Sequence, residues 1–206
     1  MSVFLISYFS LEKKKKNISN LAWHVWLDKN ASWQDDSLYL PPVDISIIPE
    51  NPPSVGWDSL FTIKDKKITL PATVEEHFWP RNGNTIGVAG DYTGVSWFYT
   101  TVYIPGEYRD KRVFLHFESV RFRAEVYVNS TLTGYDIIAG TPFEADISEN
   151  IMYGKKNRIA VRITDPPGNF TWRDYAPHKW GDITIPPGHG FGGITGPVKL
   201  MMTDKI

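Results

Sequence analysis

Residues 122–129 read FRAEVYVN, with an apolar side chain at every second position. In an extended chain Phe122, Ala124, Val126 and Val128 share one face, and Arg123, Glu125 and Tyr127 share the other. The first face is expected to turn into a core and the second outward, as in a half-buried strand. The same alternation, among β-branched and aromatic residues, runs through GVSWFYTTVYI (94–104), KRVFLHFES (111–119) and NRIAVRIT (157–164). No window carries apolar residues at helical spacing over ten or more positions, and most of the 16 glycines and 15 prolines fall between the strand candidates. The chain therefore reads as all-β. Short strands with turn signals roughly 8–12 residues apart, and a first strand distant in sequence from its neighbours, predict a jelly-roll β-sandwich rather than an up-and-down barrel.

Composition narrows the function. A length of 206 residues fits one domain, and 42 % hydrophobic with 14 % aromatic residues exclude a disordered chain. Twenty-two basic residues offset 23 acidic ones, so no net field gathers nucleic acid or acidic lipid. The absence of cysteine removes disulfides, thiolate nucleophiles and cysteine-bound zinc, and leaves periplasm and cytoplasm equally open for a soluble protein. The apolar stretch Val3–Leu11 precedes the run Lys13–Lys16, the reverse of a secretory signal, and is too short to span roughly 30 Å of hydrocarbon. Residues 1–17 read as a poorly ordered or artefactual extension, which sets the expected division at 1–19 for the extension and 20–206 for a single domain.

The Pro-rich text from Asn20 to Pro53 predicts one strand followed by an arm. Pro71–Gly94 and Asp165–Gly196 are too long to be turns, and their aromatics, among them Phe78, Trp79, Trp172 and Trp180, predict ordered binding loops or edge covers. Neighbouring residues of an extended segment face opposite ways, so Glu75-Glu76 and Asp35-Asp36 read as solvated charge rather than as a catalytic pair. The histidines at 24, 77, 116, 178 and 189 lack metal-site spacing, so neither a metal nor a cofactor is expected. Flat rings beside Asp, Asn, His and Arg offer what a sugar needs, apolar faces for its CH groups and partners for its hydroxyls.

The succession WFYTTVYIP (97–105), RVFLHFESVRFRAEVYVNSTLTGY (112–135), TPFEADI (141–147) and GKKNRIAVRITD (154–165) resembles the N-terminal sugar-binding domain of glycoside hydrolase family 2. That family includes β-galactosidases, β-glucuronidases and β-mannosidases. More loosely, the likeness extends from Asn20 to Leu200. It departs at Ser130, where the family usually has glycine after the asparagine of the turn, which leaves the turn type open. The resemblance implies a galactose-binding-domain-like jelly roll. It further implies a fragment, split reading frame or isolated domain of a larger glycosidase, whose catalytic glutamates lie on a separate barrel. The non-catalytic domain would line a β-glycoside pocket together with the remaining domains of the enzyme. By position, the resemblance makes Trp172, Asp174, His178, Trp180 and His189 the sugar-contact candidates in the loop before the last strand. Asp91 and Tyr92 are the candidates in the other long loop. An autonomous lectin-like module, a structural docking domain and an independent hydrolase remain alternatives.

Overall fold

The computed structural model describes residues 14–33, 36–40, 42–63, 65–78, 92, 94–165, 178–180, 183–185 and 192–205, with 178–180 and 183–185 as backbone only. In chain order the strands are β1 (Lys14–Asn17), β2 (Trp23–Asp28), β3 (Lys66–Ile68), β4 (Ala72–Thr73), β5 (Gly94–Ile104), β6 (Lys111–Phe117) and β7 (Arg123–Val128). They continue as β8 (Thr131–Asp136), β9 (Phe143–Asp146), β10 (Lys155–Asp165), β11 (His178–Trp180), β12 (Ile183–Ile185), β13 (Gly193–Ile194) and β14 (Val198–Asp204). Among the described residues two short α-helices, α1 (Trp57–Leu60) and α2 (Val74–Phe78), interrupt the connections. Among the described residues no helix is long and apolar enough to cross a membrane.

A four-stranded sheet in the order β1-β14-β6-β9 faces a six-stranded sheet in the order β3-β2-β5-β10-β7-β8, and all pairings are antiparallel. This is the expected jelly-roll sandwich. The alternating residues meet between the sheets: Phe98, Val126, Val128, Val161 and Ile163 from one, Val113, Leu115, Phe117 and Leu200 from the other, all essentially without solvent exposure. Phe117 stacks on Phe143 at 4.9 Å. Lys14–Asn17, read from the sequence as part of an extension, pair along β14 as an edge strand, and residues 1–13 lie outside the described residues. Ile18 is fully buried, and its carbonyl accepts from the Trp23 indole at 2.9 Å. Four lysines looked like tail. As an exposed edge strand three of them, Lys14, Lys15 and Lys16, blunt an otherwise open hydrogen-bonding rim.

The strands of the larger sheet are not half-buried. The row Val95, Trp97, Tyr99, Ala160 and Tyr127 lies on the face away from the sandwich core, yet a second apolar layer covers it. The covering segment is the predicted arm, which lays Trp33, Tyr39, Val43, Ile45 and Ile48 across the sheet, continued beyond Pro53 by Trp57 and Leu60 of α1 and by Phe61 after it. Charged residues read as outward-facing lie under it. Arg123 and Arg162 are each 2 % exposed, and Glu125 is fully buried. Arg123 pairs with Glu125 at 2.6 Å and with Asp36 of the arm at 2.9 Å. Arg162 reaches the same two carboxylates at 3.1 and 3.0 Å and donates to the Ser32 carbonyl at 2.8 Å. Asn51 and Tyr127 complete the coordination of Glu125. One member of each acidic dipeptide therefore departs from the solvated reading: Asp36 joins this cluster, and Glu75 is 2 % exposed.

Asn129 and Ser130 both take positive φ, 49° and 77°, in the two-residue connection between β7 and β8. Positive φ at both central positions is the type I′ hairpin. Asn129 also ties the turn down. Its amide donates to the Asn150 carbonyl and to Asn157, and its side-chain oxygen accepts from the Arg158 amide.

Glycine adopts the Ser130 conformation without the Cβ penalty, so Ser130→Gly is expected to stabilise the fold by about 1 kcal/mol, read as a higher urea midpoint at unchanged slope. Glu125→Ala leaves two buried guanidiniums short of charge, and a loss of about 3–5 kcal/mol is expected in the same measurement. Asp58→Ala removes the exposed partner of Arg158 and serves as the contrast, with a change of roughly 0–1 kcal/mol.

Candidate functional site

Both long connections are rooted at one end of the larger sheet. Gly94 opens β5 and pairs directly with Asp165, which closes β10, so one loop enters where the other leaves. The return is stitched to the same place. β13 pairs with β4, the Val74 amide donates to the Gly192 carbonyl at 2.9 Å, and the Arg121 amide donates to the Gly193 carbonyl at 2.8 Å. Glycine is required in this crossing. At φ +151° a Cβ on Gly193 would sit 2.4 Å from the Ala72 carbonyl oxygen, and one on Gly192 would meet Asp165 Oδ2 at 2.6 Å. Gly192 and Gly193 thus let the backbone pass tightly over Asp165 and β4.

Tyr92 sits between these stems. Its ring is 7 % exposed, its amide donates to Glu75 Oε1 at 2.9 Å, and its hydroxyl donates to the Val95 carbonyl at 2.9 Å. Burial, followed by the charges of Asp28 and Asp165, pushes the phenol well above the ordinary tyrosine range, so it remains a donor. The hydroxyl lies 3.1 Å from where a Cβ on Gly94 would be, and the Trp33 indole nitrogen lies 3.8 Å from the same point. The arm therefore reaches the loop root and places a half-buried indole there.

Three carboxylates, Asp28, Glu75 and Asp165, are almost fully buried at this end. Asp28 accepts from the Trp97 indole at 3.1 Å, from the Ser54 amide at 2.9 Å and from the Ser54 hydroxyl. These bonds fasten the arm to β2 and β5. Among the described residues no three histidine or carboxylate side chains gather as a metal site.

Of the sugar-contact candidates, Tyr92 falls at the stem. His178 and Trp180 lie on β11, in register with Ile185 and Ile183 of β12, so the long loop carries a hairpin of its own. Trp172, Asp174, His189 and Asp91 lie outside the described residues. Trp33, Asp28 and Asp165 were not singled out from the sequence. Trp33 belonged to an arm without periodicity, and the two aspartates sit at strand ends, where a carboxylate usually meets water.

Residues 67–179 match the family described as glycosyl hydrolases family 2, sugar binding domain. A β-glucuronidase of Formosa agariphila is 30 % identical over 125 residues, which cover 61 % of this chain and 12 % of that protein. A β-galactosidase of Thermoanaerobacter pseudethanolicus is 43 % identical over 74 residues, covering 35 % of this chain and 10 % of that protein. The chain thus spans only about a tenth of the length of these relatives. Among solved structures, the β-glucuronidase of Ruminococcus gnavus shares the fold with a TM-score of 0.61 at 18 % identity, over 93 % of this chain and 29 % of that one. A β-glucuronidase from an uncultured Clostridium gives 0.60 at 19 % identity, over 99 % and 31 %.

Proposed function

We propose, for a chain that belongs to the sugar-binding domain family of the family 2 glycosyl hydrolases, that its task is non-catalytic recognition of a β-glycoside. The loops spanning 79–91 and 166–191 would form one wall of a pocket that further domains of the glycosidase complete. The observation that carries this reading is the common root: Gly94 faces Asp165 in register, and Gly192 packs on Asp165, so two loops rich in aromatic and polar residues spring from one spot.

The chemistry suits the ligand. Trp172 and Trp180 offer flat faces for the CH-rich side of a pyranose, while Asp91, Asp174, His178 and His189 offer hydroxyl partners. Tyr92 supports the site from beneath, since its own hydroxyl is committed to Val95. A single wall leaves much of a sugar in water, whereas complete pockets bury about 70–90 % of their ligand. Affinity for this chain alone is therefore low.

Calorimetric titration with methyl β-D-glucuronide and methyl β-D-galactoside tests the proposal. Saturable binding near the millimolar range is expected for at least one of them, weakened about tenfold by Trp172→Ala or Trp180→Ala. Micromolar or tighter binding that ignores both substitutions would overturn it, as would release of nitrophenol from chromogenic glycosides by this chain.

A further inference from the structure

A hollow of about 390 Å³ opens on the outer side of the larger sheet, where the arm ends and β2 begins. Its floor is Tyr99, which is 2 % exposed and donates its hydroxyl to the Ile63 carbonyl at 2.6 Å. His24 lies against that ring at 5.4 Å and 21°, and Phe61 meets it edge-on at 5.5 Å and 75°. Leu21 and Ala22 form part of the rim with Thr101, which is exposed two residues beyond Tyr99 on the same side of β5.

His24 is the unusual member. Its imidazole makes no hydrogen bond among the described residues, and Nδ1 is buried without a partner. Burial, with the charge of Lys67 adding to it, lowers the pKa of the ring, so the imidazole is neutral at neutral pH. A neutral imidazole carries one proton. A buried N–H without an acceptor is a rarer and costlier defect than a buried lone pair, which puts the proton on Nε2. His24 therefore offers a ligand an N–H donor on a ring held in place by Tyr99.

We infer that this hollow is a binding site for one uncharged, pyranose-sized polyol. Its volume stands at the lower end of small-molecule pockets, which run from about 300 to 1,000 Å³, and suits a single ring. Among the described residues no Asp, Glu, Lys or Arg lines it, and the charges that reach His24 and Tyr99, those of Lys67 and Asp65, are of opposite sign, so the lining has no net charge to select an ionised ligand. The nearby Arg158 is engaged with Asp58 at 2.7 Å and lies over the Phe61 ring at 5.0 Å. Nε2–H of His24 donates, the Thr101 hydroxyl can donate or accept, and the edges of Phe61 and the aliphatic rim of Leu21 meet CH groups. The hydroxyls of a polyol can satisfy both polar groups, which a purely apolar ligand cannot do. His24 and Asp28 are four residues apart on β2, roughly 13 Å, so an occupant here leaves the loop stems untouched.

The test follows the Cε1–H resonance of His24 by NMR in the ¹³C-labelled full chain while methyl β-D-glucopyranoside is added. A saturable shift is expected in the wild type and equally in Trp172→Ala, which separates this site from the loops. His24→Phe keeps a ring on Tyr99 but removes the N–H, and calorimetry on the Trp172→Ala background should then show at least about a tenfold loss of affinity at an unchanged melting temperature. A His24 resonance that stays fixed up to saturation of the loops would overturn the inference and leave the loop reading standing. So would His24→Phe binding as tightly as its parent.

Discussion

Everything at the loop-bearing end depends on a buried four-member charge cluster that pins the arm to the larger sheet. Arg123 and Arg162 come from β7 and β10, Glu125 from β7, and Asp36 from the arm. Two guanidiniums against two carboxylates leave no net charge inside, and each ion finds more than one partner. That is the condition under which a desolvated cluster becomes tolerable. Its directional bonds also fix where the arm lies. Arg162 holds the Ser32 carbonyl, next to Trp33, and stands three residues before Asp165, at which the long loop departs. Cluster, indole and loop stem are thereby set in one frame. Asp28 fixes the other side of that frame through Trp97 and Ser54.

The sandwich was legible because alternation is a local property. Phe122 to Val128 and Arg158 to Thr164 announce their inward faces without reference to the rest of the chain. The second apolar layer was not legible by the same rule, since alternation assigns Arg123, Glu125 and Arg162 to water. The signal that could have corrected it was size: Trp97, Tyr99 and Tyr127 place three large rings on the supposedly outer face, more than a solvated surface needs. The acid that completes the cluster, Asp36, sits in a segment with no period at all. Nothing local ties it to β7 or β10. Lys14–Asn17 failed for a related reason, because an edge strand covered with lysines looks like a tail until its partner β14 is known.

The site was legible as chemistry and illegible as geometry. Composition picked out the two connections that carry rings and hydrogen-bonding groups together, and the register of β5 with β10 brings their stems to one point. Tyr92 marks the division. As a sequence letter it belongs with the loop, while in the fold it is a buried stem residue bonded to Glu75 and Val95. His24 shows the opposite case. In the sequence it is one histidine among five lacking metal spacing, and it becomes informative only with its unbonded ring beside Tyr99.

In the proposed function, sugar meets this chain through the two co-rooted loops. Photo-crosslinking with a β-glycoside bearing a diazirine on its aglycone, followed by peptide mapping of the labelled protein, tests it most directly. Adducts are expected within residues 79–91 and 166–191, competed away by the unlabelled glycoside. Competable labelling with no adduct in either span would contradict it.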